Sequence, residues 1–145
     1  MMDSLEKRTT EVPRKTYTYE EITDIYALGR MWLESGNLRK AETVMAGLNE
    51  IDPEFAAGWL GTAYIRSISG DLDGALIAAK NALKNSPESL ESMLYVVTLA
   101  LSTGDYSTAG TYLGEVGDRI QVSRDVSTAT MRMYRIQLTR YQSRS

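Results

Sequence analysis

The sequence predicts an all-α protein built as a solenoid of helical hairpins. Glycine-led turns recur every thirty-four residues, and both alanines and prolines recur with the same step. A period of this length is typical of a two-helix repeat. One such hairpin cannot bury its own apolar face, so hairpins stack and share a continuous core. At 145 residues, the chain is expected to form one domain.

The turn of each predicted hairpin is a glycine followed by Asn or Asp. Glycine can end a helix in a left-handed conformation, and the next side chain can cap the free amides of the following helix. An alanine follows five residues after each glycine, where the two helices are expected to approach most closely. The three sets are Gly36, Asn37 and Ala41; Gly70, Asp71 and Ala75; and Gly104, Asp105 and Ala109. The predicted repeats span 22–55, 56–89 and 90–123.

Helix starts are predicted from capping residues. Thr18 with Glu21 forms a capping box. Asp52 and Ser86 each precede a proline, which favours the first helical position. A final helix is predicted to begin after a Ser123 cap. The predicted helices are 19–35, 38–50, 53–69, 72–85, 87–103, 106–119 and 125–142.

The two ends of the chain are expected to differ. Residues 1–18 are predicted to be a flexible tail, residues 19–123 hold the repeats, and residues 124–145 form a capping helix and tail. A solenoid needs such a cap because its last repeat would otherwise leave an apolar face in water. The apolar stripe of this helix comprises Met131, Tyr134, Leu138 and Tyr141. Its arginines 132, 135 and 140 fall largely off that stripe, which predicts a solvated basic face.

The composition argues against an enzyme. The chain has no cysteine and no histidine. Disulfides, thiolate zinc sites and histidine-based triads are therefore excluded. Asp71 and Asp73 resemble the start of a calcium loop but lack its remaining ligands, so they are assigned to a helix cap. We predict no catalytic residue, no metal ligand and no cofactor.

The charge distribution limits the kinds of partner. Fifteen acids and seven bases lie between residues 19 and 121, whereas five arginines and one aspartate follow between 122 and 145. An acidic body argues against nucleic-acid binding, which needs clustered Lys and Arg. The N-terminus carries charges where a secretory signal needs an apolar run, and no stretch has the length of a membrane span. We therefore expect a cytoplasmic protein.

Residues 22–123 resemble the tetratricopeptide repeat family. The family pattern sets large apolar, glycine, aromatic and alanine residues at defined positions of a right-handed solenoid. The second repeat departs from it, with Thr62 in a leucine position and Arg66 in an aromatic position. The first repeat matches with Ile25, Leu28, Gly29, Trp32, Ala41, Met45 and Pro53; the second with Trp59, Ala63, Ala75, Ala82 and Pro87; the third with Met93, Val96, Val97, Ala109 and Leu113.

The resemblance implies a concave groove lined by the first helix of each repeat. Its second, fifth, ninth and twelfth positions here are Thr23, Tyr26, Arg30 and Leu33; Ala57, Leu60, Tyr64 and Ser67; and Glu91, Leu94, Thr98 and Leu101. We take as candidate partner-binding residues Tyr26, Arg30, Leu33, Leu60, Tyr64, Ser67, Leu94, Thr98 and Leu101. Exposed apolar surface of this kind marks a partner site, so we predict an extended or helical protein segment as ligand. Only Arg30 is cationic, which disfavours a clamp for a C-terminal carboxylate.

Small, acidic, cysteine-free proteins with three such repeats resemble the chaperones of bacterial type III secretion systems. The segment Phe55 to Tyr64, FAAGWLGTAY, is similar to the start of their middle repeat. This resemblance implies that the groove keeps a secreted subunit soluble before export. The alternative is a structural or assembly subunit that docks on a larger complex. The N-terminal tail, the C-terminal helix or a second copy, giving a homodimer, could also occupy the groove.

Overall fold

The computed structural model describes residues 16–144. This part contains seven α-helices and no strand. The helices are α1 (Tyr19–Glu34), α2 (Leu38–Ile51), α3 (Ala56–Ile68), α4 (Leu72–Asn85), α5 (Leu90–Thr103), α6 (Tyr106–Val122) and α7 (Thr128–Gln142). The predicted tail, 1–18, lies mostly outside the described residues.

The predicted hairpin turns are confirmed. Gly36, Gly70 and Gly104 have φ values of 84°, 86° and 80°, a region that favours glycine. The Asn or Asp after each glycine caps the next helix, because its side chain accepts a hydrogen bond from a backbone amide three residues later. The Thr18 and Glu21 capping box is present at the start of α1.

The two proline helix starts were predicted wrongly. Pro53 and Pro87 lie in turns, and the following helices begin at Ala56 and Leu90. The Phe55 amide donates to the Asp52 carbonyl at 3.1 Å. That bond closes a four-residue turn with proline at its second position, which suits the fixed φ of proline. Asp52 itself ends α2, because its amide donates to the Leu48 carbonyl.

The start of the last helix was also predicted too early. Helix α6 continues to Val122, and the Ser123 amide donates to the Arg119 carbonyl. Ser123 therefore ends α6, and it does not cap the next helix. The cap of α7 is Ser127, whose side chain accepts from the Thr130 amide at 3.1 Å.

The helices pack as consecutive hairpins. Helix α1 packs on α2, α3 on α4 and α5 on α6, and neighbouring hairpins meet through α2 with α3 and α4 with α5. Helix α7 contacts both α5 and α6. The three alanines of the repeat, Ala41, Ala75 and Ala109, are completely buried. The buried apolar residues form two clusters, a smaller one in the first hairpin that includes Ile65 of α3 and a larger one in the remaining helices. Contacts between consecutive hairpins are the arrangement of a solenoid.

Candidate functional site

The first helices of the three repeats line one open cleft. It has a volume of about 400 Å³ and lies between α1, α3 and the first turns of α5. We call it the groove cleft. Its lining residues are Tyr26, Arg30, Leu33, Glu34, Ala57, Leu60, Gly61, Tyr64, Ile68, Glu91 and Tyr95. Five of the nine candidate residues therefore lie together: Tyr26, Arg30, Leu33, Leu60 and Tyr64.

The candidates of the third repeat lie elsewhere. Leu94 and Thr98 line a second cleft of about 480 Å³ between α5 and α7. Leu94 and Leu101 are buried, with exposures of 3% and 9%. Ser67 and Leu101 line neither cleft. Burial removes Leu94 and Leu101 from direct contact with a partner as long as α7 stays in place.

The C-terminal helix forms a wall of the second cleft and leaves the groove cleft open. Across it, Leu94 and Thr98 face Ser127, which caps α7, and the α7 residues Ala129, Thr130 and Met133. No residue of α7 lines the groove cleft. Within residues 16–144, occlusion of the groove cleft by the C-terminal helix is therefore not observed.

Tyr95 is a groove residue that the sequence reasoning missed. It lines both clefts, together with Glu91. Burial raises the pKa of the Tyr95 phenol, and a hydrogen bond with the Ser67 side chain opposes that rise. The repeat pattern named positions 2, 5, 9 and 12, whereas Tyr95 is at position 6. Its neighbour at position 5, Leu94, is the candidate that became buried.

An aromatic group supports Tyr26, one of the residues that line the groove cleft. The rings of Tyr26 and Phe55 meet edge to face with centroids 5.7 Å apart, and Tyr19 approaches the same Phe55 at 6.5 Å. Edge-to-face pairs of this kind are favourable and hold the rings in defined orientations. Phe55 precedes α3 directly, so the turn after Pro53 places its ring against α1. A partner would meet a preformed aromatic surface.

Arg30 is held within its own helix. Its guanidinium donates to the Tyr26 hydroxyl at 3.2 Å and to the Glu34 carboxylate at 3.3 Å. Tyr26, followed by Glu34, raises the pKa of the Arg30 guanidinium. The other charged residues that line the groove cleft are Glu34 and Glu91. An arginine already paired and beside carboxylates is poorly placed to clamp a partner's C-terminal carboxylate.

The described residues contain neither a cluster of metal ligands nor a membrane-spanning helix. Their acidic residues form no group of three or more that could hold a metal ion. Asp71 is used as a cap, since its side chain accepts from the Gly74 amide at 2.9 Å. Between residues 16 and 144, no helix has both the length and the apolar character needed to cross a membrane.

Comparisons with known proteins agree on the fold. No family model and no curated protein matches the chain. Among solved structures, the Yersinia enterocolitica type III secretion translocator chaperone SycD has a TM-score of 0.75 at 16% identity, covering 88% of each chain. Pseudomonas aeruginosa PcrH, in complex with the chaperone binding region of PopD, has a TM-score of 0.73 at 16% identity, covering 89% of this chain and 94% of PcrH.

A third structure comes from a different kind of protein. The TPR2B domain of yeast Sti1, in a complex with pHsp70, has a TM-score of 0.72 at 14% identity, covering 85% of this chain and 98% of the domain. The secretion chaperones and the yeast domain share one helical arrangement with this chain. The chain has the tetratricopeptide-repeat fold.

Proposed function

We propose that this protein is a binding module that holds a segment of a partner polypeptide in its groove, as a chaperone of a type III secretion system. The observation that carries the proposal is the groove cleft itself. It is open, it is lined by three tyrosines, and Tyr64 is 47% exposed at its centre. Tyrosine supplies apolar contact area with a polar tip, which suits a site that is exposed to water when no partner is bound.

The size of the cleft indicates what a partner must supply. Burying one leucine or tyrosine contributes about 1.5–3 kcal/mol, whereas association costs roughly 4–15 kcal/mol. One anchoring side chain is therefore insufficient. An extended or helical segment that places several apolar side chains along α1, α3 and α5 meets this requirement.

The structural neighbours support a chaperone over other binding roles. SycD is a type III secretion translocator chaperone, and PcrH was solved with the chaperone binding region of PopD. The Sti1 domain was solved in a complex with pHsp70. By analogy of fold, we extend peptide binding to this chain. Of the nine candidate residues, Leu94 and Leu101 are buried, so we do not propose them as direct contacts. The other seven remain part of the proposal, with Tyr95 added and with Phe55 supporting the Tyr26 ring.

We propose that the protein acts by binding and not by catalysis, in the cytoplasm, on a protein and not on nucleic acid or membrane. The excess of acidic residues between 19 and 121 supports a protein partner, because it repels phosphate backbones.

The test is partner capture with two matched variants. Tagged wild-type protein, Tyr64→Glu and Ile77→Glu are each used to capture partners from the lysate of the native host. Ile77 is 61% exposed on α4 and lines neither cleft, so it controls for adding a charge to an exposed apolar site. We expect a polypeptide that wild type and Ile77→Glu retain and Tyr64→Glu loses. Partners indifferent to Tyr64→Glu would refute the groove as the site.

A secreted or filament-forming subunit as the captured polypeptide would support the chaperone role. Its affinity for purified wild type and Tyr64→Glu is then measured by calorimetry. A stably bound component of a larger complex would instead indicate the assembly-subunit alternative.

A further inference from the structure

The first helix exposes apolar residues at positions that are buried in the other repeats. Leu28 and Met31 of α1 are 44% and 49% exposed. Thirty-four residues later, Thr62 and Ile65 of α3 are 7% and 1% exposed. Thirty-four residues further on, Val96 and Leu99 of α5 are 0% and 3% exposed. We call Asp24, Leu28 and Met31, which lie on one side of α1, the terminal face.

The equivalent positions are buried because the second helix of the preceding hairpin covers them. Asn49 of α2 donates to the Thr62 hydroxyl of α3 at 2.8 Å. A Cβ added to Gly58 would lie 3.3 Å from the Leu48 side chain and 2.6 Å from the side-chain oxygen (Oδ1) of Asn49, so α2 packs closely on this face of α3. Helix α4 packs on α5 in the same way. No helix within residues 16–144 takes this place on α1.

The chain's own N-terminal segment does not have the sequence of a covering helix. Shifted back by thirty-four residues, the core-facing Met45 and Leu48 of α2 correspond to Glu11 and Arg14. Pro13 also falls in this stretch. In the repeat register, the sequence of residues 1–15 therefore lacks the apolar pair that α2 supplies.

The C-terminal helix, at the opposite end of the solenoid, has one face of polar and basic residues. Along α7, the positions spaced as one exposed helix face are Thr128, Arg132, Arg135 and Thr139, and all four are exposed. On the same helix, Met133 and Ile136 are 42% and 48% exposed, so both ends of the protein expose apolar residues. The two ends differ in charge, because the α1 face carries Asp24 and this face of α7 carries two arginines.

Asp24 indicates that a helix docked on the terminal face would carry a positive charge. Its equivalents, Gly58 and Ser92, are both buried, so a helix docked on α1 would cover Asp24 as well. A carboxylate enclosed by a partner is strongly unfavourable unless a cation pairs with it. Glu20 and Glu21 lie one turn before it. A second copy docked through the same face would bring like charges together, which disfavours a homodimer here.

We propose that the terminal face of α1 docks an amphipathic helix of a second protein, which packs an apolar ridge on Leu28 and Met31 and places a Lys or Arg on Asp24. The docked helix takes the place of the second helix of a preceding repeat. This site is separate from the groove cleft, so one protein could bind two partners at once.

The probe is a synthetic peptide of residues 38–51, the covering helix α2, in which Asn49→Lys places a cation at the position that faces Asp24. Fluorescence anisotropy measures its binding to the full chain. We expect saturable binding that weakens about tenfold or more in Leu28→Glu/Met31→Glu and is unchanged in Tyr64→Glu and Ile77→Glu. Binding equal in Leu28→Glu/Met31→Glu, or no binding, would overturn the proposal.

A charge exchange tests the cation. The Asn49→Glu peptide should bind wild type weakly and Asp24→Lys tightly, with the reverse order for the Asn49→Lys peptide. Equal affinities in all four combinations would overturn the assignment of a basic helix. Dissociation of a wild-type dimer by Leu28→Glu/Met31→Glu in sedimentation would identify a second copy as the occupant. Peptide binding seen only after removal of residues 1–15 would identify that segment. Either result overturns the proposal.

Discussion

Asn49 and Thr62, from neighbouring hairpins, are joined by a buried hydrogen bond of 2.8 Å from the Asn49 amide nitrogen to the Thr62 hydroxyl. The Thr62 hydroxyl in turn donates a hydrogen bond to the Gly58 backbone carbonyl at 3.1 Å. The side-chain oxygen of Asn49 (Oδ1) is buried without a hydrogen-bond partner in the described structure. The polar pair explains why a threonine stands where the repeat pattern has leucine.

The pair should behave as a unit. Thr62→Val leaves the Asn49 amide nitrogen unpaired in the core, and we expect the free energy of unfolding to fall by about 1–3 kcal/mol. Asn49→Leu combined with Thr62→Val removes both polar groups and should cost less than the sum of the single changes. Urea denaturation of the four proteins measures the coupling. If the losses of unfolding free energy in the two single variants added up to the loss in the double variant, the hydrogen bond would contribute nothing to stability.

The glycine turns can be tested against a glycine in a helix. Gly70 has a φ of 86°, so Gly70→Ala forces a left-handed alanine and should lower stability by about 1–2 kcal/mol. Gly114 is an exposed residue of α6, and a Cβ added there meets nothing within 4 Å. Gly114→Ala should raise stability by about 0.5–1 kcal/mol. Thermal unfolding measures the change in stability for each variant. If Gly70→Ala and Gly114→Ala changed stability equally, the assignment of Gly70 to a left-handed turn would be contradicted.

Deletion of residues 124–145 should destabilise the protein. It removes Tyr134, Leu138 and Tyr141, which pack against the main core. It also removes the wall of the second cleft that faces Leu94 of α5. We expect a lower melting temperature and increased binding of a hydrophobic dye. A truncated protein as stable as the full chain would show that α7 is not a cap.

Tyr95 predicts a loss of stability at alkaline pH. Burial raises its pKa in the folded protein above the ordinary phenol value of 10.0. The unfolded chain then loses its proton first as pH rises, so the contribution of Tyr95 is fully present below pH 10 and is lost through the folded pKa. The alkaline decline should be smaller in Tyr95→Phe. Unfolding free energies measured between neutral pH and alkaline pH test this, and an identical decline would contradict it.

The burial of Leu94 changes how the groove is probed. Sequence reasoning alone would pair Tyr64→Glu with Leu94→Glu to abolish binding while leaving the helices intact. With Leu94 only 3% exposed, the second change would bury a charge and unfold the α5–α7 contact. Loss of binding would then have two explanations. Tyr64→Glu alone changes the surface without changing the core.

What the sequence determined by itself was the local and periodic part of the structure. A left-handed glycine, an Asp cap and a Thr-Glu capping box act within a few residues, so Gly70, Asp71 and Thr18 could be assigned correctly in isolation. The thirty-four-residue step then set the number of hairpins. Pro53 was misplaced because proline suits both a first helical turn and a tight turn, and only the packing of Phe55 on α1 separates the two.

What the tertiary structure decided was which side chains are covered. Leu28, Thr62 and Val96 hold the same position in three repeats, yet only Leu28 is exposed, because α2 covers Thr62 and α4 packs over the face of α5 that holds Val96. Leu94 is buried in the cleft between α5 and α7, whereas its neighbour Tyr95 lines both clefts. Burial depends on the neighbouring helix, and a repeat pattern describes each unit without its neighbours.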